Sequence, residues 1–195
     1  MLVFWDQRLV FLATPRAGST AIEAALDGLA SIRVLRPAVA RHTDATRYRQ
    51  HLGPFLRASA GEEFTTVALM REPLDWLASW YRQRLGDEDG PAEDPGEGFD
   101  RFVRDHMASP PPPHADVGSQ ARFLGDGQSL GVDRVFAYED IGRFVAFLED
   151  RLDCGITLPR LNVSPTATLD IAPATVARLR VHAAQDYRLW ETLRG

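Results

Sequence analysis

Lysine is absent from the chain: all 22 residues of the lysine-plus-arginine class are arginine. The lysine of the phosphate-binding pattern G-x-x-x-x-G-K-[ST] is therefore missing, which counts against ATP chemistry on such a loop. Cysteine occurs once, at Cys154, so no internal disulfide can form and a reducing, cytoplasmic setting is expected. That thiol reads as a small apolar side chain rather than a nucleophile. His51, His106, His114 and His182 have no partners at metal-ligand spacing, and one cysteine adds none, so no metal site is expected. Long apolar runs are missing too, none approaching the roughly 18 residues that suggest a membrane span. The segment Met1 to Leu12 is interrupted by Asp6, Gln7 and Arg8 and has neither a basic leader nor a cleavage site. Net positive charge is lacking as well: the formal balance of −5 gives no general attraction to nucleic acid.

What is present is enough apolar content, 45% of 195 residues, to bury a sizeable core, and one domain over 1–195 is the simplest organisation. Two short strands around a turn are expected in Met1 to Leu12, with further strands at Ser31 to Leu35, Phe64 to Met70 and Arg134 to Tyr138. Helical spacing follows Ser19, and a short helix capped by Thr43 or Asp44 is expected to run through Leu52 and stop at Gly53. Other helices are expected from Pro73, around Phe99, Phe102, Val103 and Met107, over Ile141 to Leu152, and as one or two segments over Pro173 to Leu193. Strands separated by helices predict an α/β fold with a mainly parallel central sheet and ligand at the strands' carboxyl ends. Gly86 to Gly98 is rich in Gly, Pro and acidic residues, and Ser109 to His114 holds four consecutive prolines. A loop-rich insertion around 86–118 follows, either covering the ligand side or forming an acidic surface loop.

Two stretches carry the functional argument. The first is Leu9 to Thr20, an apolar run broken by Thr14-Pro15-Arg16-Ala17-Gly18-Ser19-Thr20 and opening into a helical pattern with Ile22, Ala25, Leu26 and Leu29. A buried strand delivering a helix N-terminus makes an anion site: Gly18 allows close backbone approach, Ser19 and Thr20 add hydroxyls, and Arg16 adds a planar charged fork. An ordinary strand-to-helix turn is the alternative. The second stretch repeats the arrangement, with Phe64 to Met70 leading to Arg71 and Pro73 placed in a helical first turn. Ser79 lies roughly 9 Å further up that helix, so Arg71 and Ser79 meet one ligand only if it lies along the axis. The alternative pairs Arg71 with Glu72 or Asp75.

The loop Thr14 to Thr20 resembles the 5′-phosphosulfate loop of sulfotransferases that use 3′-phosphoadenosine 5′-phosphosulfate (PAPS), written P-K-x-G-[ST]-[ST]. Arg71 through Ser79 resembles their 3′-phosphate element. Arg41-His42-Thr43-Asp44-Ala45 is similar to a histidine-bearing segment, Val135-Phe136-Ala137-Tyr138-Glu139-Asp140 to a late strand entering a helix, and Leu161-Asn162-Val163-Ser164 to an N-x-S stretch. The resemblance, to the bacterial branch of the carbohydrate sulfotransferase group, spans roughly the whole chain. It implies a three-layer fold like that of P-loop nucleotide kinases. It also implies PAPS as sulfate donor, bound by Pro15, Arg16, Ala17, Gly18, Ser19, Thr20, Arg71, Ser79, Asn162 and Ser164. Arg16 and His42 are then the catalytic candidates, His42 as acceptor base, with Gln120 near the acceptor.

Arg16 stands where the family usually has lysine. With a pKa above 12 it neutralises charge on a leaving oxygen but is a poor proton donor. The implied activity is transfer of a sulfuryl group to a hydroxyl or amine of a small molecule or glycan, with no metal, nucleic acid or membrane involved. Two alternatives stay open: a noncatalytic PAPS- or nucleotide-binding module on the same scaffold, and a P-loop-like kinase. Oligomeric state is not written in the sequence.

Overall fold

In a computed structural model describing residues 1–86, 95–127, 129–159 and 169–194, the first apolar run folds back on itself. Strands β1 (Leu2–Phe4) and β2 (Leu9–Leu12) pair antiparallel with Val3 opposite Val10. β2 leads through residues 13–18 into α1 (Ser19–Leu26), after which β3 (Ile32–Arg33) pairs antiparallel with β1. Short helices α2 (Ala38–Arg41) and α3 (Ala45–Arg47) and the longer α4 (Gly53–Ala60) precede β4 (Thr65–Met70). Helices α5 (Pro73–Gly86), α6 (Pro95–His106) and α7 (Gln120–Leu124) lead to β5 (Arg134–Ala137). Helices α8 (Ile141–Leu152), α9 (Pro173–His182) and α10 (Ala184–Thr192) follow. The sheet order is β3-β1-β2-β4-β5, with β2, β4 and β5 mutually parallel and β1 reversed.

β2 and the Val67–Met70 part of β4 are unbroken apolar runs because both faces of the sheet are covered there. Val10, Leu12, Ala68 and Met70 join Tyr48, Leu56 and Leu124 on one face. Leu9, Phe11, Val67 and Leu69 join Ile22 and Leu26 of α1 and Phe144 and Leu148 of α8 on the other. At about 1.5–3 kcal/mol for each large side chain removed from water, this packing makes the parallel strands a rigid base. Their carboxyl ends lead directly into residues 13–18, Arg71 and Tyr138.

The helix begun at Asp44 does not stop at Gly53. Asp44 is its cap, accepting the Arg47 N–H at 2.8 Å. Gly53, however, has a right-handed φ of −54°, and the chain continues through a widened turn, Tyr48–Leu52, into α4. The widening comes just before Pro54, whose ring would crowd the carbonyl four residues back in a regular helix. The stop is Gly61, at φ +73°, whose N–H returns to the Arg57 carbonyl.

Within 86–118, residues 87–94 lie outside the described set, and one face of α6 with Ala115 joins the core. Phe99, Phe102 and Val103 of α6, with Ala115, pack against Tyr81 of α5, Leu179 of α9 and Tyr187 of α10. Among the described residues no helix is long and apolar enough to cross a membrane. Nor, among them, does any group of three or more His, Cys, Asp or Glu stand where it could hold a metal ion.

Candidate functional site

Between β2 and α1 the backbone enters the left-handed region twice, at Arg16 (φ +61°) and Gly18 (φ +79°). Only glycine suits the second position, since a Cβ there would lie 2.7 Å from the Tyr138 ring. A left-handed arginine is uncommon, and here side-chain contacts accompany it: Nε donates to Ser79 Oγ at 3.1 Å and a terminal N–H donates to the Ser79 carbonyl at 3.0 Å. Trp76, buried one turn earlier on α5, donates its indole N–H to the Pro15 carbonyl at 2.9 Å. Ala17 and Ser19 are buried. The N–H groups of Ser19 and Thr20 head α1, and Gly18 at its cap has no side chain to occupy them. The Thr14 hydroxyl is buried and has no hydrogen-bond partner among the described residues.

Arg71, the first residue beyond β4, meets this loop from the neighbouring strand. One terminal N–H reaches the Arg16 carbonyl at 3.4 Å, Nε donates to Asp75 at 2.5 Å, and the guanidinium lies 4.7 Å from the centre of the Tyr138 ring. Arg16, Arg71 and Ser79 are thus brought together, with the arginine of the loop bridging the other two. Glu72 caps α5 by accepting the Asp75 N–H at 2.7 Å. Burial raises its carboxyl above the usual range, opposed by N–H groups of Asp75 and Leu74. Gln120 is 1% exposed and does not line an open cleft. Its Oε1 accepts the Arg71 N–H at 2.9 Å and its Nε2 donates to the Arg71 carbonyl at 2.8 Å.

His42 follows α2 and reaches the end of β2, where Nδ1 lies 2.7 Å from the Ala13 carbonyl oxygen. A carbonyl only accepts, so Nδ1 carries the proton and Nε2 presents the lone pair of the neutral ring. Burial lowers the His42 pKa; the Ala13 bond opposes this, the Arg41 charge adds to it, and Glu23 opposes it. Two nearby carboxylates, Glu23 and Glu139, are engaged in hydrogen bonds of their own. Glu23, buried on α1, accepts from Arg41 and from the Met1 ammonium. Glu139 accepts from the Glu72 N–H and the Trp190 indole. Arg41 also donates to Thr20 Oγ1 at 2.9 Å, tying the histidine segment to the first turn of α1.

Sequence reasoning missed Tyr138 and Trp76 as parts of this site, together with the Glu23–Arg41 ion pair beneath it. Tyr138 had a usable signal: it follows a parallel strand directly, as Arg71 does. Trp76 and Glu23 had none beyond helical spacing, which assigns them to packing. Asn162 and Ser164 lie outside the described residues.

The assembled groups, two guanidinium ions, helix-terminal N–H donors and a serine hydroxyl, suit a ligand with more than one anionic group. Beside them stands a neutral imidazole of fixed tautomer. No protein-family model matches the chain, and no curated protein matches it.

Proposed function

We propose that the chain is a PAPS-dependent sulfotransferase, moving a sulfuryl group to a hydroxyl or amine of a small-molecule or glycan acceptor. The observation that carries this reading is the junction of Arg16, Arg71 and Ser79 at the carboxyl ends of β2 and β4, within reach of the α1 N-terminus. Arg16 and the N–H groups of Gly18, Ser19 and Thr20 hold the 5′-phosphosulfate. Arg71 and Ser79 hold the 3′-phosphate. Ser79 Oγ accepts from Arg16 and keeps its own proton to donate to a phosphate oxygen. Asn162 and Ser164 are assigned to the donor by resemblance alone.

In the reaction, the acceptor oxygen or nitrogen attacks sulfur while the bond from sulfur to the bridging phosphate oxygen breaks. The acceptor's proton passes to His42 Nε2, and the electron pair stays on the departing 5′-phosphate of adenosine 3′,5′-bisphosphate. The charge growing on that oxygen is met by Arg16 and the loop N–H groups, the preorganised stabilisation that usually dominates such transfers. Arginine, with a pKa above about 12, is a poor proton donor, so charge neutralisation replaces acid catalysis there.

Isotopically labelled PAPS incubated with pooled hydroxyl and amine acceptors tests the proposal. Label is expected on an acceptor with the wild type, and about 10²–10⁴-fold more slowly with His42→Asn. Nucleotide binding without any transfer supports the noncatalytic module instead, and phosphate transfer from ATP supports the kinase.

A further inference from the structure

Past the end of β4 the peptide of Arg71 has no strand partner, and its two polar groups face the protein interior. Gln120 satisfies both, in a two-point amide-to-peptide pair of 2.9 and 2.8 Å. Gln120 is the first residue of α7, and that helix start is itself anchored from α10. Asp186, 7% exposed, accepts the Ala121 N–H at 2.6 Å and the Ser119 hydroxyl at 3.0 Å through one oxygen. A continuous chain of hydrogen bonds therefore runs from α10, through the α7 N-terminus, to the backbone of the arginine that meets the loop. The guanidinium also contacts Asp75 and Tyr138, so Gln120 fixes the backbone from which the side chain starts while those contacts meet its far end.

We propose that Gln120 is a positioning residue for Arg71, secured by Asp186, and that this pair sets how strongly the site discriminates nucleotides bearing a 3′-phosphate. The inference rests on the sulfotransferase reading of Arg71. An arginine at a strand end swings with its peptide, and an error of about 1 Å in a charge-assisted pair is enough to weaken it. Gln120 touches neither phosphate nor acceptor and acts only through Arg71.

The test is the ratio of affinities for adenosine 3′,5′-bisphosphate and adenosine 5′-monophosphate, measured by calorimetry alongside thermal melting. In Gln120→Met, which fills the space without either hydrogen bond, the ratio should fall about 10-fold while monophosphate affinity stays near wild type. Gln120→Glu keeps the acceptor for the Arg71 N–H but sets a carboxylate oxygen against the Arg71 carbonyl. Its ratio should be low at pH 8 and approach the wild-type value, measured at the same pH, as the carboxyl protonates toward pH 5. Asp186→Asn retains the accepting oxygen and should keep the ratio, whereas Asp186→Ala should lower it. If Gln120→Met fails to fold, the glutamate variant's pH dependence and the Asp186 pair carry the test. Equal weakening of both nucleotides, or a glutamate deficit that does not change with pH, overturns the positioning role. A wild type that binds both nucleotides alike overturns the reading of Arg71 and the inference with it.

Discussion

The Arg16 Nε and a terminal N–H both reach Ser79, a two-point contact that the single ammonium of a lysine cannot copy, and on the proposed reading the same charge serves the 5′-phosphosulfate. Arg16→Ala should lower turnover about 10²–10³-fold with a smaller loss of product affinity, because it removes charge that is needed most in the transition state. Arg16→Lys, the residue usual in the sulfotransferase loop that this one resembles, should be the milder change; steady-state kinetics beside product calorimetry separates the two effects. His42 yields a pH signature. Its folded pKa is depressed below 6.5, so its contribution to stability is present above that value and is lost as pH falls through the folded pKa. Turnover should therefore hold to pH values below 6.5 before its acidic limb appears. His42→Asn should cost about 10²–10⁴-fold and remove that limb, and a pH–rate profile of both proteins checks it.

The elements around the site were legible to different degrees. An unbroken apolar run marked β2, a β-branched and apolar run marked β4, and Pro73 marked the start of α5, since burial on both faces and an unneeded N–H leave local traces. The stop at Gly53 was misread because glycine signals a helix end only where φ turns positive, and the widened turn before Pro54 kept it right-handed. Arg71 and Gln120 were each singled out, yet their pairing across 49 residues leaves no local pattern. The Trp76–Pro15 contact across 61 residues is equally silent. Helix α5 offers a further prediction. The Glu72 carboxyl is raised above its ordinary value, so its favourable contribution is complete only below about 4.5 and is lost as pH rises through the folded pKa. Glu72→Gln keeps an oxygen for the Asp75 N–H without a charge to bury. Its melting temperature should equal or exceed that of wild type at pH 7, with the advantage vanishing below about pH 4.5.

At the scale of the whole molecule, three parallel strands end side by side and each delivers part of the candidate site: the Arg16 loop from β2, Arg71 from β4, and Tyr138 from β5. Helices on both faces hold these ends in register, and α10 reaches the same edge through α7. On the proposed reading, this edge recognises a nucleotide by two separated anionic groups, with Arg71 reserved for the 3′-phosphate. Calorimetric titration of wild type and Arg71→Ala with adenosine 3′,5′-bisphosphate and adenosine 5′-monophosphate tests it most directly. The wild type should prefer the bisphosphate, and Arg71→Ala should lose about 1.5–3 kcal/mol of bisphosphate binding, with the monophosphate changing far less. Equal binding of the two nucleotides by the wild type, or equal losses for both in Arg71→Ala, would contradict it.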